Sequence, residues 1–146
     1  MLDKASEHAL VKINFIERYK DLSKQYHFDA NESFENYETD IVVNIIQHLG
    51  YYCTFNKKEE FYKIIETIGD SKYQFKISLK YGAAEFLWSV WKCSELKIGG
   101  TWAILKEQLD GLEKDKVRRP IFRDYEDLKE ILANAFAIYE DFKREY

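Results

Sequence analysis

The sequence predicts an α+β domain with N-terminal helices, a central antiparallel β-meander of three or four strands, and C-terminal helices packed on the sheet. Three observations carry this prediction. Apolar residues recur every three or four positions up to Gly50 and again after Pro120, the period of a helix face. Between Tyr73 and Tyr81 they alternate one in two, the period of a strand with one buried side. Short glycine-bearing breaks then divide the middle of the chain into strand-length pieces. With 146 residues, 46% of them hydrophobic, the chain fits a single domain spanning residues 1–146 with a core of its own.

The first helix is predicted from Asp3 to Gln25, where Val11, Phe15, Tyr19, Leu22 and Tyr26 share one face. His27-Phe28-Asp29-Ala30-Asn31 breaks the pattern. A second helix is predicted from Ser33 to Gly50, with Phe34, Tyr37, Ile41, Ile45 and Leu49 as its stripe and Gly50 just past its end. Residues 57–68 admit two readings. Phe61, Ile64, Ile65 and Ile68 fit a helix that Asn56 and Glu59 would cap and Gly69 would stop, yet the same Phe, Tyr, Ile and Thr content suits a strand. The strand reading is preferred, because it makes a continuous meander with the hairpin that follows. In that hairpin, Tyr73 to Tyr81 is the first strand, Gly82-Ala83-Ala84 the turn and Glu85 to Cys93 the second strand. Gly99-Gly100 is read as the turn that closes the sheet, and Thr101 as the cap of a short helix bearing Trp102, Leu105 and Leu109. After a charged connector, Asp124 is placed to cap a long last helix with Tyr125, Leu128, Leu132, Ala135, Tyr139 and Phe142 on one face.

Composition narrows function. No window approaches the roughly 20 apolar residues of a membrane span, and the N-terminal pattern is polar and helical, so a cytoplasmic protein with no membrane partner is expected. Cys53 and Cys93 sit in apolar, strand-like contexts and are expected to be buried, unpaired thiols. The histidines His8, His27 and His48 lie more than four residues from one another and from either cysteine, a spacing without the shape of a metal site. There is no nucleophile elbow and no glycine-rich phosphate loop, and no cofactor is expected.

Charge is more informative. The formal net charge is −4, and between Lys24 and Lys57 no Lys or Arg occurs while Asp29, Glu32, Glu35, Glu38 and Asp40 do. Such a field repels phosphate backbones and attracts a basic partner, so a protein partner is expected and direct nucleic-acid binding is not. Trp88 and Trp91 have opposite parity on their strand, so one of them is a candidate anchor on the surface. These seven residues are the candidate partner-binding set. A competing catalytic reading takes Asp70 before one hairpin strand and Glu95-Leu96-Lys97 after the next as a metal-dependent nuclease, with the carboxylates holding Mg²⁺ and Lys97 positioning water. A third reading is a regulatory subunit that oligomerises through its aromatic surface.

The strand Tyr73 to Tyr81, the segment Glu85 to Trp91, Gly99-Gly100-Thr101-Trp102, and Pro120-Ile121-Phe122 leading to Tyr125-Glu126-Asp127-Leu128 follow one another in a familiar order. In size, acidity and element order, over most of its length, the chain resembles the small α+β immunity proteins of bacterial polymorphic toxin and contact-dependent inhibition systems. That resemblance implies a cytoplasmic, non-enzymatic protein that binds and blocks a cognate toxin domain, often a nuclease with a basic cleft.

Overall fold

The computed structural model describes residues 2–146. Two helices, α1 (Lys4–Lys12) and α2 (Phe15–Gln25), stand where one was predicted. Asn14 between them is left-handed, with φ 60, a conformation that Asn tolerates better than most residues. The break turns the stripe, so that Val11 is 61% exposed while Phe15, Tyr19, Leu22 and Tyr26 remain buried.

Helix α3 (Thr39–His48) begins six residues later than the predicted Ser33 start, and residues 33–38 contain no helix. Tertiary partners explain the difference. Phe34 packs edge-on to Phe122 and Tyr125. The Phe34 amide donates to the Phe122 carbonyl (2.9 Å), and the Glu38 amide donates to the Tyr125 hydroxyl (2.9 Å). Backbone donors that a first helical turn would leave unpaired are thus satisfied from outside, and the intrinsic helical pattern yields.

The sheet is a five-stranded antiparallel meander in chain order: β1 (Thr54–Asn56), β2 (Phe61–Ile68), β3 (Ser71–Ser78), β4 (Glu85–Lys92) and β5 (Glu95–Thr101). The strand reading of 61–68 holds. Asn56 and Glu59 do form a capping contact, Oδ1 accepting from the Glu59 amide at 3.0 Å, but it tightens the β1–β2 turn instead of starting a helix. The fifth strand is one more than the sequence predicts. Gly99 and Gly100 lie within it, opposite Ser89 and Trp88, and not in a closing turn. A Cβ on Gly100 would meet Ile104 Cγ2 at 3.2 Å, so close approach of the next helix accounts for the residue type.

One face of the sheet makes the core. Tyr62 and Ile64, Tyr73, Phe75 and Ile77, Phe86, Trp88 and Val90, and Ile98 are buried there. They meet α2, α4 (Trp102–Asp110) and α5 (Tyr125–Glu145). Trp88 is the hub, with ring centroids 5.7 Å from Phe15, 5.4 Å from Trp102 and 4.9 Å from Phe142. Such aromatic pairs add about 0.5–1.5 kcal/mol each beyond the area they bury. The predicted caps are in place: Thr101 Oγ1 accepts from the Ile104 amide (3.2 Å) and Asp124 Oδ1 from the Asp127 amide (2.8 Å). The opposite face carries Lys63, Ile65, Lys72, Leu87, Trp91 and Leu96, all half-buried or exposed.

The cysteines part company. Cys53 is buried, as expected, and burial pushes its thiol up to about 11. Cys93 is exposed, contrary to expectation. Strand β4 stops at Lys92, and Cys93 and Ser94 form the β4–β5 turn with φ 51 and 66. Paired positive φ values match the right-handed twist of a tight hairpin.

Candidate functional site

Residues 27–40 form a strap across one end of the molecule, anchored along its length. At its start the Arg118 guanidinium donates to the Phe28 carbonyl (3.2 Å), and the Arg123 guanidinium lies 3.6 Å from the centre of the Phe28 ring. Asp29 Oδ1 accepts from the Asn31 amide (2.9 Å) and so starts the single turn Ala30–Glu32. In the middle the strap passes over Gly82, where a Cβ would lie 2.5 Å from Ser33 Cβ. Gly82 is also held from below, its carbonyl accepting from the Phe122 amide at 3.0 Å. Further on, the Tyr37 hydroxyl donates to the Leu79 carbonyl at 2.7 Å. A segment held in this way keeps little conformational freedom of its own.

All five candidate acids are exposed: Asp29, Glu32, Glu35 and Glu38 on the strap, and Asp40 in the first turn of α3, into which the strap runs. Among the described residues none of the five is in an ion pair. The arginines at its base are otherwise engaged: Arg123 is held by Asp127, with Nε 2.8 Å from Oδ2, and Arg118 faces His27 and the Phe28 carbonyl.

Beside the strap, between Glu35 and Thr39, the β1–β2 turn and the loop after β3, lies a groove of about 500 Å³. Tyr37, Phe55 and Tyr62 line its interior, and Glu35, Glu60, Lys80 and Tyr81 complete its walls. Tyr62 is 1% exposed, and burial pushes its hydroxyl up to about 12. That hydroxyl has no partner at hydrogen-bonding geometry, although the Thr39 side chain comes near enough to perturb it. Burial, followed by the Glu60 carboxylate, raises Tyr37. Lys80 reaches Glu60 at 3.4 Å, with both side chains about half exposed. Glu60 and Tyr81 are both left-handed, with φ 60 and 62, and Tyr81 is 76% exposed. Nothing in the core requires that ring to stand where it does.

The other sequence candidates fall elsewhere. Trp88 is 1% exposed and belongs to the core, so it is no surface anchor: its even position puts it on the face that the helices cover. Trp91, of opposite parity, is half-buried on the outer face, with the Lys72 ammonium 4.9 Å from its ring centre. Asp70 sits in the β2–β3 turn and accepts from the Cys93 thiol at 3.1 Å, which raises that thiol above its ordinary value. Glu95 begins β5 and pairs with Lys97 at 3.3 Å. Among the described residues no cluster of three or more His, Cys, Asp or Glu side chains could hold a metal ion.

Sequence reasoning missed Glu60 and Tyr81 as neighbours of the acidic segment. Tyr81 continues the odd-numbered apolar series of β3 and was therefore read as inward-facing, but the strand ends at Ser78 and the ring turns out. The following Gly82-Ala83-Ala84 was the available signal that the strand had ended before it. Among the described residues no helix is long and apolar enough to cross a membrane. No known protein family, no curated protein and no solved structure matches this chain.

Proposed function

We propose that this chain is a non-enzymatic binding protein that presents its acidic strap to a basic protein domain, and that the partner is a toxin which it neutralises. The observation that carries the reading is the set of five carboxylates that are exposed, without ion-pair partners among the described residues, and mounted on a pinned backbone. Carboxylates left over on a surface usually have a solvating role, but these five share a stretch without a single Lys or Arg from residue 25 to residue 56. An exposed run of one sign of charge attracts the cations of a partner. The resemblance to immunity proteins of polymorphic toxin systems implies a toxin as the kind of partner. A nuclease toxin with a basic cleft would be blocked by such a surface acting in place of its phosphate substrate. The same field disfavours nucleic acid as a direct partner. The proposed setting is the cytoplasm of a bacterium, without a cofactor.

The nuclease reading through Asp70, Glu95 and Lys97 draws no support from the geometry, since Asp70 is engaged by Cys93 and Glu95 by Lys97. The test of the binding reading is to express the product of the neighbouring gene and to follow its association with this chain by stopped flow. Glu35→Lys together with Glu38→Lys is expected to slow association about tenfold or more and to flatten its dependence on salt. Unchanged kinetics would show that the strap is not the contact surface.

A further inference from the structure

We propose that the groove walled by Glu35, Glu60 and Tyr81 is a receptor for the guanidinium group of an arginine side chain. The inference rests on the strap being a surface for a basic protein, and it names the residue which that protein would insert. The groove's size suits one long side chain, its interior being lined by the rings of Tyr37, Phe55 and Tyr62. A guanidinium is planar and weakly hydrated, so it stacks on aromatic faces and offers a fork of donors to carboxylates. An ammonium can also sit over a ring, but it lacks the planar face and the fixed fork. Two carboxylates line the groove, and the one cation among its lining residues, Lys80, is tied to Glu60 at 3.4 Å by a pair exposed enough to be weak. Lys80 thus holds the place of an incoming cation without filling the groove.

A second and independent observation concerns Tyr62. Its hydroxyl is closed to solvent, lacks a partner and lies by Tyr37 and Thr39, which line the same groove. A buried hydroxyl without a well-formed bond is costly, and a shift of the neighbouring Thr39 side chain that opened it to the groove would let a guanidinium N–H donate to its oxygen. Tyr81 fits the same scheme: a solvent-exposed ring on a left-handed backbone contributes nothing to the core, but it offers a face to a cation at the groove wall.

The probe is N-acetyl-arginine methylamide, titrated into the isotope-labelled full chain and followed by NMR. Saturable shifts are expected at Tyr37, Thr39, Tyr62 and Tyr81, with a Kd on the order of 1 mM, as befits one side chain held without the rest of a partner. Tyr81→Ala and Glu60→Gln are each expected to weaken binding by about threefold or more. Lys80→Ala is expected to tighten it, whereas Lys72→Ala, the same change of net charge on the outer face of the sheet, leaves it unchanged. Three outcomes would each overturn the proposal: shifts that do not saturate, shifts spread evenly along the strap, or equal binding of N-acetyl-lysine methylamide. The two readings separate cleanly. If arginine fails to bind while the Glu35/Glu38 charge reversal still slows toxin association, the groove proposal alone falls. If arginine binds but toxin association ignores the strap, the groove stands and the contact surface is elsewhere.

Discussion

Asp127 shows how one side chain ties the last helix to the strap's foundation. It is nearly buried and accepts from the Arg123 amide (3.0 Å) and the Arg123 Nε (2.8 Å), while its own amide donates to Asp124. This reciprocal arrangement satisfies donors that the start of α5 would otherwise leave open. The hydrogen bond from Arg123 holds the Asp127 carboxyl below the ordinary aspartate range, with burial opposing it. A depressed value in the folded state stabilises the fold above the unfolded value and is lost as pH falls through the folded one. Asp127→Asn is therefore expected to cost about 1–2 kcal/mol at neutral pH. In urea titrations the gap from wild type should shrink below about pH 4, the ordinary aspartate value. A gap that is the same at neutral and acid pH would mean that the carboxylate's charge contributes nothing.

The strap is the element on which the proposed function depends, and Gly82 is its keystone. The residue combines φ 68 with a site where a Cβ would come within 2.5 Å of Ser33 Cβ and 3.0 Å of the Phe34 nitrogen. Gly82→Ala would thus meet both backbone strain and a clash with the strap itself. Gly69 offers a control, since it has φ 60 and open space around it. Gly69→Ala is expected to cost about 1 kcal/mol, the left-handed penalty alone. Gly82→Ala should cost more and act locally, speeding hydrogen exchange at the Phe34 and Glu38 amides ahead of those in β3. If both alanines accelerate exchange at Phe34 equally, the strap is not held through Gly82.

At the scale of the molecule, strand pairing gathers lysines on the outer sheet face. Lys63 pairs with Lys76 across β2 and β3, and Lys72 lies further along the same face. Five acids lie together on the strap by sequence alone, so an acidic chain carries an acidic strap and a lysine-bearing sheet face. Like charges directly opposite one another disfavour stacking two such faces about a two-fold axis. This bears on the reading of the chain as an oligomerising subunit: the half-exposed Trp91 and Leu87 invite association, but the lysines among them resist self-association. The mass measured by sedimentation should stay at the 17.5 kDa of one chain from about 1 µM to about 1 mM, the range in which a weak dimer would appear. A doubling within that range would restore the oligomer reading.

Local pattern determined that both ends of the chain are helical, that β3 and β4 form a hairpin, that Thr101 and Asp124 cap helices, and the α+β class, because each depends on neighbours within a few residues. The acidic composition of the strap was equally legible, being a property of consecutive positions. Tertiary structure decided the rest. Phe34 and Tyr37 have helical spacing but are drawn out of a helix by Phe122, Tyr125 and the Leu79 carbonyl, all distant in sequence. Gly99 and Gly100 look like a turn but lie in a strand paired with β4, and at Gly100 the helix that follows passes too close for a side chain. Trp88 and Trp91 were divided by parity, but only the placement of the helices on one face chose which of them was buried. The groove belongs to this second class as well: Glu35, Glu60 and Tyr81 meet only after a strap, a turn and a loop have folded onto one another. Local pattern reports what each segment can form, whereas the long-range contacts that select among those forms, and that assemble a binding site, exist only in the folded chain.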